Sequence, residues 1–397
     1  MYQALYRKWR PMSFDDVVSQ PHITTTLKNQ IKSGKTAHAY LFTGSRGTGK
    51  TTCARIFAKA INCLDPHNGE PCLECEICKD ADNGTLSDII EIDAASNSKV
   101  DDIRELREGV VYTPERCKYK VYIIDEVHML SAGAFNALLK TMEEPPPHVK
   151  FILATTEIHK VPATIVSRCQ HFDFHRIRNE DIVSRLMYIA SQEGFTLHED
   201  AAGMIARLSD GGMRDALSLL DQCVAYENDI TLDVVSSASG IAGRDYLFDI
   251  LEKIAEKDAA GALRVVDKLY DMSKDLKVLA GELLAQMRNV MIIKTIDNNK
   301  DLITCLPDEY ERLKALAERM KLDEILGDIN TLQECSERFA KSTSKRIELE
   351  MCIIKLCGAA QKAGATAQAV SGNAEITVLL NRITQLENAL KNGAVLQ

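Results

Sequence analysis

The stretch Gly44-Ser45-Arg46-Gly47-Thr48-Gly49-Lys50-Thr51 matches the pattern G-x-x-x-x-G-K-[ST] of a Walker A phosphate loop. The apolar run 39–43 before it predicts a buried strand, and residues 52–60 after it predict a helix that begins at Thr52. The glycines let the backbone turn tightly, so that N–H groups and the helix start can face an anion. We expect Lys50 to reach the β- and γ-phosphates of ATP and Thr51 to offer its hydroxyl to Mg²⁺. A chance glycine-rich turn is the alternative.

The composition limits the classes of protein to which the chain can belong. Its 397 residues suggest two or three domains, and a 45% hydrophobic content allows sizeable cores. With 48 basic and 57 acidic residues the net charge is -9, so any DNA contact has to come from a local basic surface or from helix N-termini. The sequence has no run of 18 apolar residues and no signal-peptide core at its start, so we expect no membrane span and a cytoplasmic protein.

Four of the twelve cysteines form a cluster with the spacing C-x8-C-x2-C-x2-C: Cys63, Cys72, Cys75 and Cys78. Four thiolates at such spacing can close a tetrahedral Zn²⁺ site. Because sulfur fills every position, the metal is expected to be structural and not catalytic. An iron–sulfur cluster, which also uses four cysteines, and coincidental free thiols are the alternatives.

A second motif follows the apolar run 120–124, where the predicted strand ends in Asp125 and Glu126. This is the Walker B pattern, in which Asp125 enters the Mg²⁺ shell and Glu126 orients and polarises the attacking water. An acidic turn after a strand is the alternative. A third apolar run, 150–154, ends in the hydroxyls of Thr155 and Thr156, and a hydroxyl there can hydrogen-bond the γ-phosphate or the water.

The order of the predicted elements defines the fold class. Residues 87–93 and 170–174 also predict strands, so strands and helices alternate over the first part of the chain. This alternation predicts a parallel sheet with helices on both faces, which binds ligands at the carboxyl ends of its strands. The three motif-bearing strands all end in their chemical residues, and this agreement supports the nucleotide site more strongly than any single motif.

The remainder of the chain is predicted to be helical. Residues 179–193, 198–208 and 212–226 predict a small three-helix domain, and we interpret residues 242–365 as a packing or assembly domain. Residues 366–373 predict a linker before a short apolar helical stripe. At the other end, the basic and aromatic segment 6–11 is either a solvated arm or a flap over a nucleotide base.

Taken together, these motifs resemble those of the gamma/tau family of bacterial DNA polymerase III, the AAA+ ATPases of the clamp loader. The resemblance covers roughly residues 1–365 and includes the cysteine insert directly after the Walker A helix. It rests further on Tyr-Arg-Lys-Trp-Arg-Pro at 6–11, Ile-Ile-Asp-Glu-Val-His at 123–128, Ala-Thr-Thr-Glu at 154–157, Ser-Arg-Cys at 167–169 and Gly-Gly-Met-Arg-Asp-Ala at 211–216.

The resemblance implies a domain division. It implies a AAA+ nucleotide domain over 1–177 that carries the zinc module 63–78, a helical lid over 178–241, and a collar over 242–365 that holds a pentameric ring. Residues 366–397 would be a linker and a short C-terminal helix. ATP would lie between the nucleotide domain and the lid.

The resemblance also implies roles for three residues outside the Walker motifs. Thr155 would be the sensor-1 residue, and Arg214, in the first turn of a predicted helix, the sensor-2 residue of the lid. Arg168 would be an arginine finger that acts in trans on ATP bound by the next subunit. A guanidinium at the developing phosphoryl charge is worth roughly 10³–10⁵ in rate in other nucleotide hydrolases.

The activity implied is that of a switch. ATP would close the ring into a spiral that opens the beta sliding clamp and grips primer–template DNA by its backbone, and hydrolysis would leave the clamp on DNA. The implied partners are further gamma/tau copies, the delta and delta-prime subunits, and the clamp; longer tau forms carry C-terminal domains that bind the polymerase and the replicative helicase. A non-hydrolysing structural subunit of the same loader and a AAA+ DNA translocase or helicase are the alternatives.

Overall fold

The computed structural model describes residues 3–358, except 97–105, 107, 241–244, 298, 300–301, 304, 306 and 341. These residues fall into two units, one up to residue 240 and the other from residue 245. The linker and the helix predicted over 366–397 lie outside the described residues. Among the helices that the structure describes, none is both long and apolar enough to cross a bilayer.

A five-stranded sheet forms the centre of the first unit, and all its strands run parallel in the order β2-β3-β4-β1-β5. The parallel sheet that the sequence predicted is therefore confirmed. The central strands are almost fully buried, as expected for apolar runs covered on both faces. The strands are β1 Ala39–Gly44, β2 Ile89–Asp93, β3 Lys120–Asp125, β4 Val149–Thr155 and β5 Gln170–Phe174.

Two apolar cores lie on opposite faces of the sheet because successive side chains of a strand point to opposite sides. On one face, Tyr40 and Phe42 of β1 pack in a core with Phe57 of the Walker A helix, and the Tyr40 and Phe57 rings are 4.7 Å apart. On the other face, Leu41 shares a core with Phe135. The Walker A helix is thus fixed to the strand that precedes it.

The helices of the nucleotide domain begin and end where the sequence gives capping signals. One helix begins at Pro21 and ends before Gly34, whose φ of 66° lies in the left-handed region. Ser131 caps another by accepting a hydrogen bond from the backbone N–H of Ala134. The α-helices in this part are Leu5–Lys8, Pro21–Ser33, Lys50–Asn62, Glu76–Asn83, Ala132–Glu143 and Ala163–Val166.

The region predicted as a three-helix lid contains more than three elements. Its helices Asn179–Glu193, Glu199–Leu208 and Met213–Tyr226 agree with the prediction, but a fourth helix, Leu232–Ala238, follows them. Two strands of two residues each, β6 (Thr196–Leu197) and β7 (Asp229–Ile230), pair in parallel. The three-helix prediction was incomplete because these elements are too short to show periodicity. The domain boundaries remain predictions.

The second unit is helical in every element that the structure describes, as the sequence predicted. Its longest helix carries Leu283 and Met287, which are fully buried in the core of this unit. The α-helices are Asp245–Ala255, Ala259–Asp271, Leu276–Thr295, Pro307–Arg319, Leu322–Arg338 and Lys345–Leu356.

Candidate active site

The phosphate loop leaves β1 at Gly44, where a side chain would not fit. The φ angle of Gly44 is 135°, in the region that L side chains rarely adopt. A Cβ atom at this position would lie 2.3 Å from the carbonyl oxygen of Phe174 in the neighbouring strand β5. The first glycine of the motif therefore allows the chain to turn out of a sheet that continues on both sides of β1.

Lys50 lies beneath the loop and is almost fully buried. Its Nζ donates hydrogen bonds to the carbonyl oxygens of Gly44, at 2.9 Å, and Ser45, at 2.8 Å. Burial lowers the pKa of the Lys50 ammonium, although the nearby carboxylates of Glu126 and Asp125 act in the opposite direction. A phosphate in the loop would offset the cost of burying this positive charge.

Thr51 and Asp125 bring the two Walker motifs together. The Oγ1 of Thr51 donates to Oδ2 of Asp125 at 2.7 Å, although β4 separates the strands that precede these residues. A hydroxyl and a carboxylate side by side are hard oxygen ligands of the kind that Mg²⁺ prefers. The pair that the sequence predicted as the Mg²⁺ site is therefore assembled at the carboxyl edge of the sheet.

Glu126 is held at the same edge by Thr156, the second of the two strand-end hydroxyls and not the one predicted as the sensor. Its Oε2 accepts hydrogen bonds from the backbone N–H of Thr156, at 3.2 Å, and from the Thr156 hydroxyl, at 2.9 Å. The φ of Glu126 is 46°, a left-handed value that is uncommon for a residue with a side chain. The carboxylate is thus directed by a turn at the end of β3 and by the tip of β4.

Thr155, the predicted sensor, has a different environment. Its side chain is fully buried, its hydroxyl lies 3.0 Å from Nδ1 of His128, and it accepts a hydrogen bond from the backbone N–H of Glu157. His128 in turn lies 3.4 Å from Oε2 of Glu126. Sequence reasoning gave no role to His128, and it named the Thr156 hydroxyl without its contact to Glu126. Two adjacent hydroxyls at a strand end point to opposite sides, which was the available signal.

A cavity of about 430 Å³ opens beside the phosphate loop, a volume within the range of small-molecule sites. Apolar side chains line part of it, among them Trp9, Val17 and Leu217, so that it offers a charged region for phosphates and an apolar region for a base. The predicted site residues in its lining are Arg46, Gly47, Thr48, Gly49, Lys50, Thr51, Thr52, Asp125, Glu126 and Arg214.

The N-terminal segment 6–11 forms one wall of this cavity. Tyr6, Trp9, Arg10 and Pro11 all line it. The indole Nε1 of Trp9 donates to Glu193 at 2.7 Å, which ties the segment to the first helix of the lid region. Of the two alternatives that the sequence left open, these positions favour the flap over a solvated arm.

Arg214 and the phosphate loop meet at the start of the helix Met213–Tyr226. The guanidinium of Arg214 lies 5.1 Å from the centre of the Tyr6 ring and lines the cavity. A Cβ atom at Gly47 would lie 3.0 Å from the Cα of Gly212, so the loop and the lid approach each other backbone to backbone. The structure therefore places the predicted sensor-2 residue in the lining of the cavity, two residues after the glycine that touches the phosphate loop.

Two predicted catalytic side chains are absent from the cavity lining: Thr155 is buried at the sheet edge, and Arg168 lies on another surface of the chain. Arg168 forms an ion pair with Glu143 at 2.8 Å and donates to the backbone carbonyl of Thr164 at 2.6 Å. Its side chain is 34% exposed and is not part of the cavity lining. A role in hydrolysis requires a second copy of the chain, so the arginine finger remains a prediction.

The four clustered cysteines converge on one point. All four sulfur atoms lie within 4.8 Å of one another, and the distances are 4.0 Å for Cys63–Cys75, 3.9 Å for Cys72–Cys78 and 3.6 Å for Cys63–Cys78. Sulfurs bound to one tetrahedral Zn²⁺ at about 2.3 Å would lie about 3.8 Å apart. An iron–sulfur cluster distributes its cysteines over several iron atoms and so needs wider spacing. The donor set therefore fits a single four-coordinate ion.

A parallel sheet with a phosphate loop, a Walker B strand and a helical lid over the cavity defines a AAA+ P-loop ATPase. Comparison with known families adds three matches along the chain: "DNA polymerase III, delta subunit" over residues 19–178, "DNA polymerase III clamp loader subunit, ATPase lid domain" over 181–229, and "DNA polymerase III subunits gamma and tau domain III" over 230–369.

Individual relatives agree with these matches. The chain is 42% identical to DNA polymerase III subunit tau of Bacillus subtilis, over 98% of this chain and 68% of that protein. It is 35% identical to the gamma subunit of Buchnera aphidicola from Acyrthosiphon pisum, over 90% of this chain and 99% of that protein. Among solved structures, the RuvB branch migration motor of Thermotoga maritima has a TM-score of 0.45 at 19% identity, over 62% of this chain and 80% of that one. That last likeness is too weak to carry an inference.

The chain belongs to the family of gamma and tau subunits of DNA polymerase III. The resemblance seen in the motifs is thereby confirmed, together with the assignment to the clamp-loader ATPases of the polymerase III complex.

The contact between Thr156 and Glu126 leads to a prediction. Thr156→Val removes the hydroxyl that binds the carboxylate but keeps the backbone donor, so Glu126 becomes freer to bind water. We expect basal ATP turnover to rise about tenfold with little change in nucleotide affinity, because a hydrogen bond to a charged group is worth about 1.5 kcal/mol. Steady-state hydrolysis and nucleotide titration measure both quantities. Thr26→Val, which removes a hydroxyl that donates to the backbone carbonyl of His22 away from the cavity, is the matched control. Unchanged turnover in Thr156→Val would contradict the prediction.

Proposed function

We propose that the loop at residues 44–52 binds Mg·ATP and that hydrolysis there drives loading of the beta sliding clamp onto primer–template DNA. The observation that carries this proposal is the convergence of Lys50, Thr51, Asp125 and Glu126 on one cavity, which the helix bearing Arg214 closes. Side chains from three separate parts of the sequence meet there in the arrangement that phosphoryl transfer needs.

The chain's own residues divide the chemistry of hydrolysis among them. The loop backbone from Gly44 to Gly49 and the Lys50 ammonium hold the phosphates, and Mg²⁺ bound by Thr51 and Asp125 would neutralise charge on them. Glu126 orients and polarises the attacking water, while Thr155 senses the γ-phosphate from the tip of β4. Arg214 binds phosphate from the lid side. The catalytic set is completed by Arg168 of a neighbouring copy.

The cysteine cluster is proposed to hold a structural Zn²⁺. Cys63, Cys72, Cys75 and Cys78 supply all four ligands, so the ion has no open position for a substrate. Backbone N–H groups of three cluster residues also point at cluster sulfurs at 3.3–3.4 Å, which stabilises thiolates. Bound zinc would therefore contribute folding energy and no step of the reaction.

The partners follow from membership of the family. We propose a pentameric loader made of further gamma/tau copies with the delta and delta-prime subunits, which acts on the beta clamp in the cytoplasm. With a net charge of -9, the chain would hold DNA by its phosphate backbone through helix N-termini and a few basic residues. Contacts to the polymerase and the replicative helicase would require the additional C-terminal domains of longer tau forms.

Two alternative functions, a non-hydrolysing loader subunit and a DNA translocase or helicase, would differ from this proposal in measurable ways. A non-hydrolysing structural subunit of the loader would have no need for Lys50 and Glu126 in their present contacts. A DNA translocase or helicase would unwind DNA without the other loader subunits, so strand separation by the purified chain alone would favour that alternative.

ATP hydrolysis by the assembled loader, with and without primed DNA and clamp, tests the proposal directly. We expect Lys50→Ala to lower turnover by at least ~100-fold, because the ammonium that stabilises the phosphates is lost. Lys140→Ala, which changes an exposed lysine of another helix, is the matched control and should retain full activity. Equal turnover by wild type and Lys50→Ala would show that the site is wrongly assigned.

Two variants distinguish the proposed action of Arg168 on a neighbouring copy from its ion pair with Glu143 inside its own chain. We expect Arg168→Ala to leave ATP binding near normal and to reduce DNA-stimulated hydrolysis by roughly 10³-fold. Glu143→Ala breaks the ion pair of Arg168 within its own chain and should keep most of the activity, because a partly exposed pair contributes about 1 kcal/mol or less. Loss of ATP binding in Arg168→Ala would indicate a local structural role.

Metal analysis checks the cysteine cluster. We expect about one zinc per chain in wild type, little in Cys78→Ser, and an unchanged content in Cys117→Ser, whose thiol lies outside the cluster. Plasma emission spectroscopy on protein purified without added metal gives the ratio. Absence of zinc, or iron together with acid-labile sulfide, would overturn the assignment.

A further inference from the structure

The loop between the first two clustered cysteines carries a carboxylate, Glu70, that contacts residues outside the cysteine cluster. Glu70 accepts a hydrogen bond from the backbone N–H of Phe14 at 2.8 Å through Oε2. Its Oε1 lies 3.0 Å from Nζ of Lys28, and its side chain is only 14% exposed. These contacts reach across 56 residues of sequence to the N-terminal segment, and a metal site has no need of them.

The backbone beside Glu70 rests directly on the helix Pro21–Ser33. Gly69 has a φ of 83°, and a Cβ atom there would lie 2.5 Å from the carbonyl oxygen of Lys28. Lys28 also pairs with Asp15 at 2.5 Å, so it links the cysteine loop to the residue that follows Phe14. The loop is therefore fixed to the N-terminal segment by backbone contact, by a hydrogen bond and by charge.

The segment that Glu70 holds is a wall of the nucleotide cavity. Asp16, Val17 and Val18 line that cavity and follow Phe14 by only two to four residues. Phe14 itself is buried in the same core as Phe57 of the Walker A helix. A shift of Phe14 would thus displace the apolar lining that faces a bound nucleotide.

A second connection leaves the cluster through the helix Glu76–Asn83, which begins directly after Cys75. Asp82 of this helix pairs with Lys59 at 2.7 Å, and the Lys59 side chain is only 3% exposed. Lys59 belongs to the helix Lys50–Asn62 that starts at the phosphate loop. The cysteine module therefore contacts both Phe14, which precedes the cavity wall, and the helix that carries the phosphate loop.

We propose that the metal-bound cysteine module positions the nucleotide site, and that Glu70 is the positioning residue that transmits its fold to the wall 16–18. This inference rests on the proposed nucleotide and zinc sites. It gives the module a role in nucleotide binding in addition to its role in folding. Metal binding fixes the loop that carries Glu70, and Glu70 fixes Phe14. The cavity then has its apolar wall in place before a nucleotide enters.

The test compares nucleotide binding after removal of Glu70 with nucleotide binding after removal of a second carboxylate of the module, Glu76. We expect Glu70→Ala to weaken binding of ADP and of a non-hydrolysable ATP analogue about tenfold, because the preformed wall is lost. It should raise KM while leaving kcat at saturating ATP within about twofold, since no group that acts on the γ-phosphate changes. Glu76→Ala, which removes an exposed ion pair with Arg116 and no contact to the N-terminal segment, should leave nucleotide affinity unchanged.

Two further measurements distinguish a positioning role of Glu70 from a loss of folding in the cysteine module. Glu70→Gln keeps an acceptor for the Phe14 N–H and should recover most of the affinity, while zinc content and melting temperature show that the module is intact in both variants. Gradual zinc withdrawal with a chelator should weaken nucleotide binding more in wild type than in Glu70→Ala, because the variant has already lost the Glu70 contact and only the connection through Asp82 and Lys59 remains to be disturbed.

The outcomes are distinct. Glu70→Ala that retains its zinc and binds nucleotide like wild type would overturn the inference, and so would loss of zinc in Glu70→Gln. Failure of wild type to bind nucleotide would instead contradict the proposed function itself.

Discussion

The active site depends on one steric constraint at the end of β1. The chain has to leave the sheet there while β1 is hydrogen-bonded to β4 on one side and β5 on the other. Only a residue without a side chain fits at position 44, where the carbonyl oxygen of Phe174 occupies the space of a Cβ atom. This turn sets the course of the loop. It allows the Lys50 ammonium to bond the Gly44 carbonyl, and it places the start of the next helix.

The strand order explains how distant motifs share one site. Because β4 lies between β1 and β3, its tip reaches the edge between the phosphate loop and the Walker B carboxylates. Thr51 and Asp125 meet across this gap, and Thr156 at the tip of β4 holds Glu126. The residues proposed to bind phosphate, to bind Mg²⁺ and to orient water are therefore connected through the middle strand.

Much of the fold could be predicted because the relevant signals are local. Strands β1 and β5 lie within one residue of the apolar runs that predicted them, and Gly34 and Ser131 mark helix ends by capping chemistry. The Walker motifs could be assigned because phosphate binding requires a fixed spacing of glycine, lysine and threonine. The fourth lid helix and the pairing of β6 with β7 were missed, since elements this short carry no periodic pattern.

Other parts of the site depend on packing that no local pattern encodes. Whether Thr155 or Thr156 faces Glu126 is decided by the turn at the end of β4. The contact of Glu70 with Phe14 joins residues far apart in sequence, and nothing near either residue indicates it. The proposed role of Arg168 involves a second chain, and a single chain shows only its pairing with Glu143.

The backbone contact between Gly47 and Gly212 has a practical consequence for experiments that follow the lid in motion. A reporter group at either glycine would act as a wedge, because the space beside each is already filled. The helix that starts beside Gly212 ends at Tyr226, which is exposed and lies about 20 Å away at 1.5 Å per residue. A rotation of about 5° at the glycine end would carry the far end through about 2 Å. A fluorophore at the distal end of the helix would therefore report a rotation that displaces the glycine end too little to be observed.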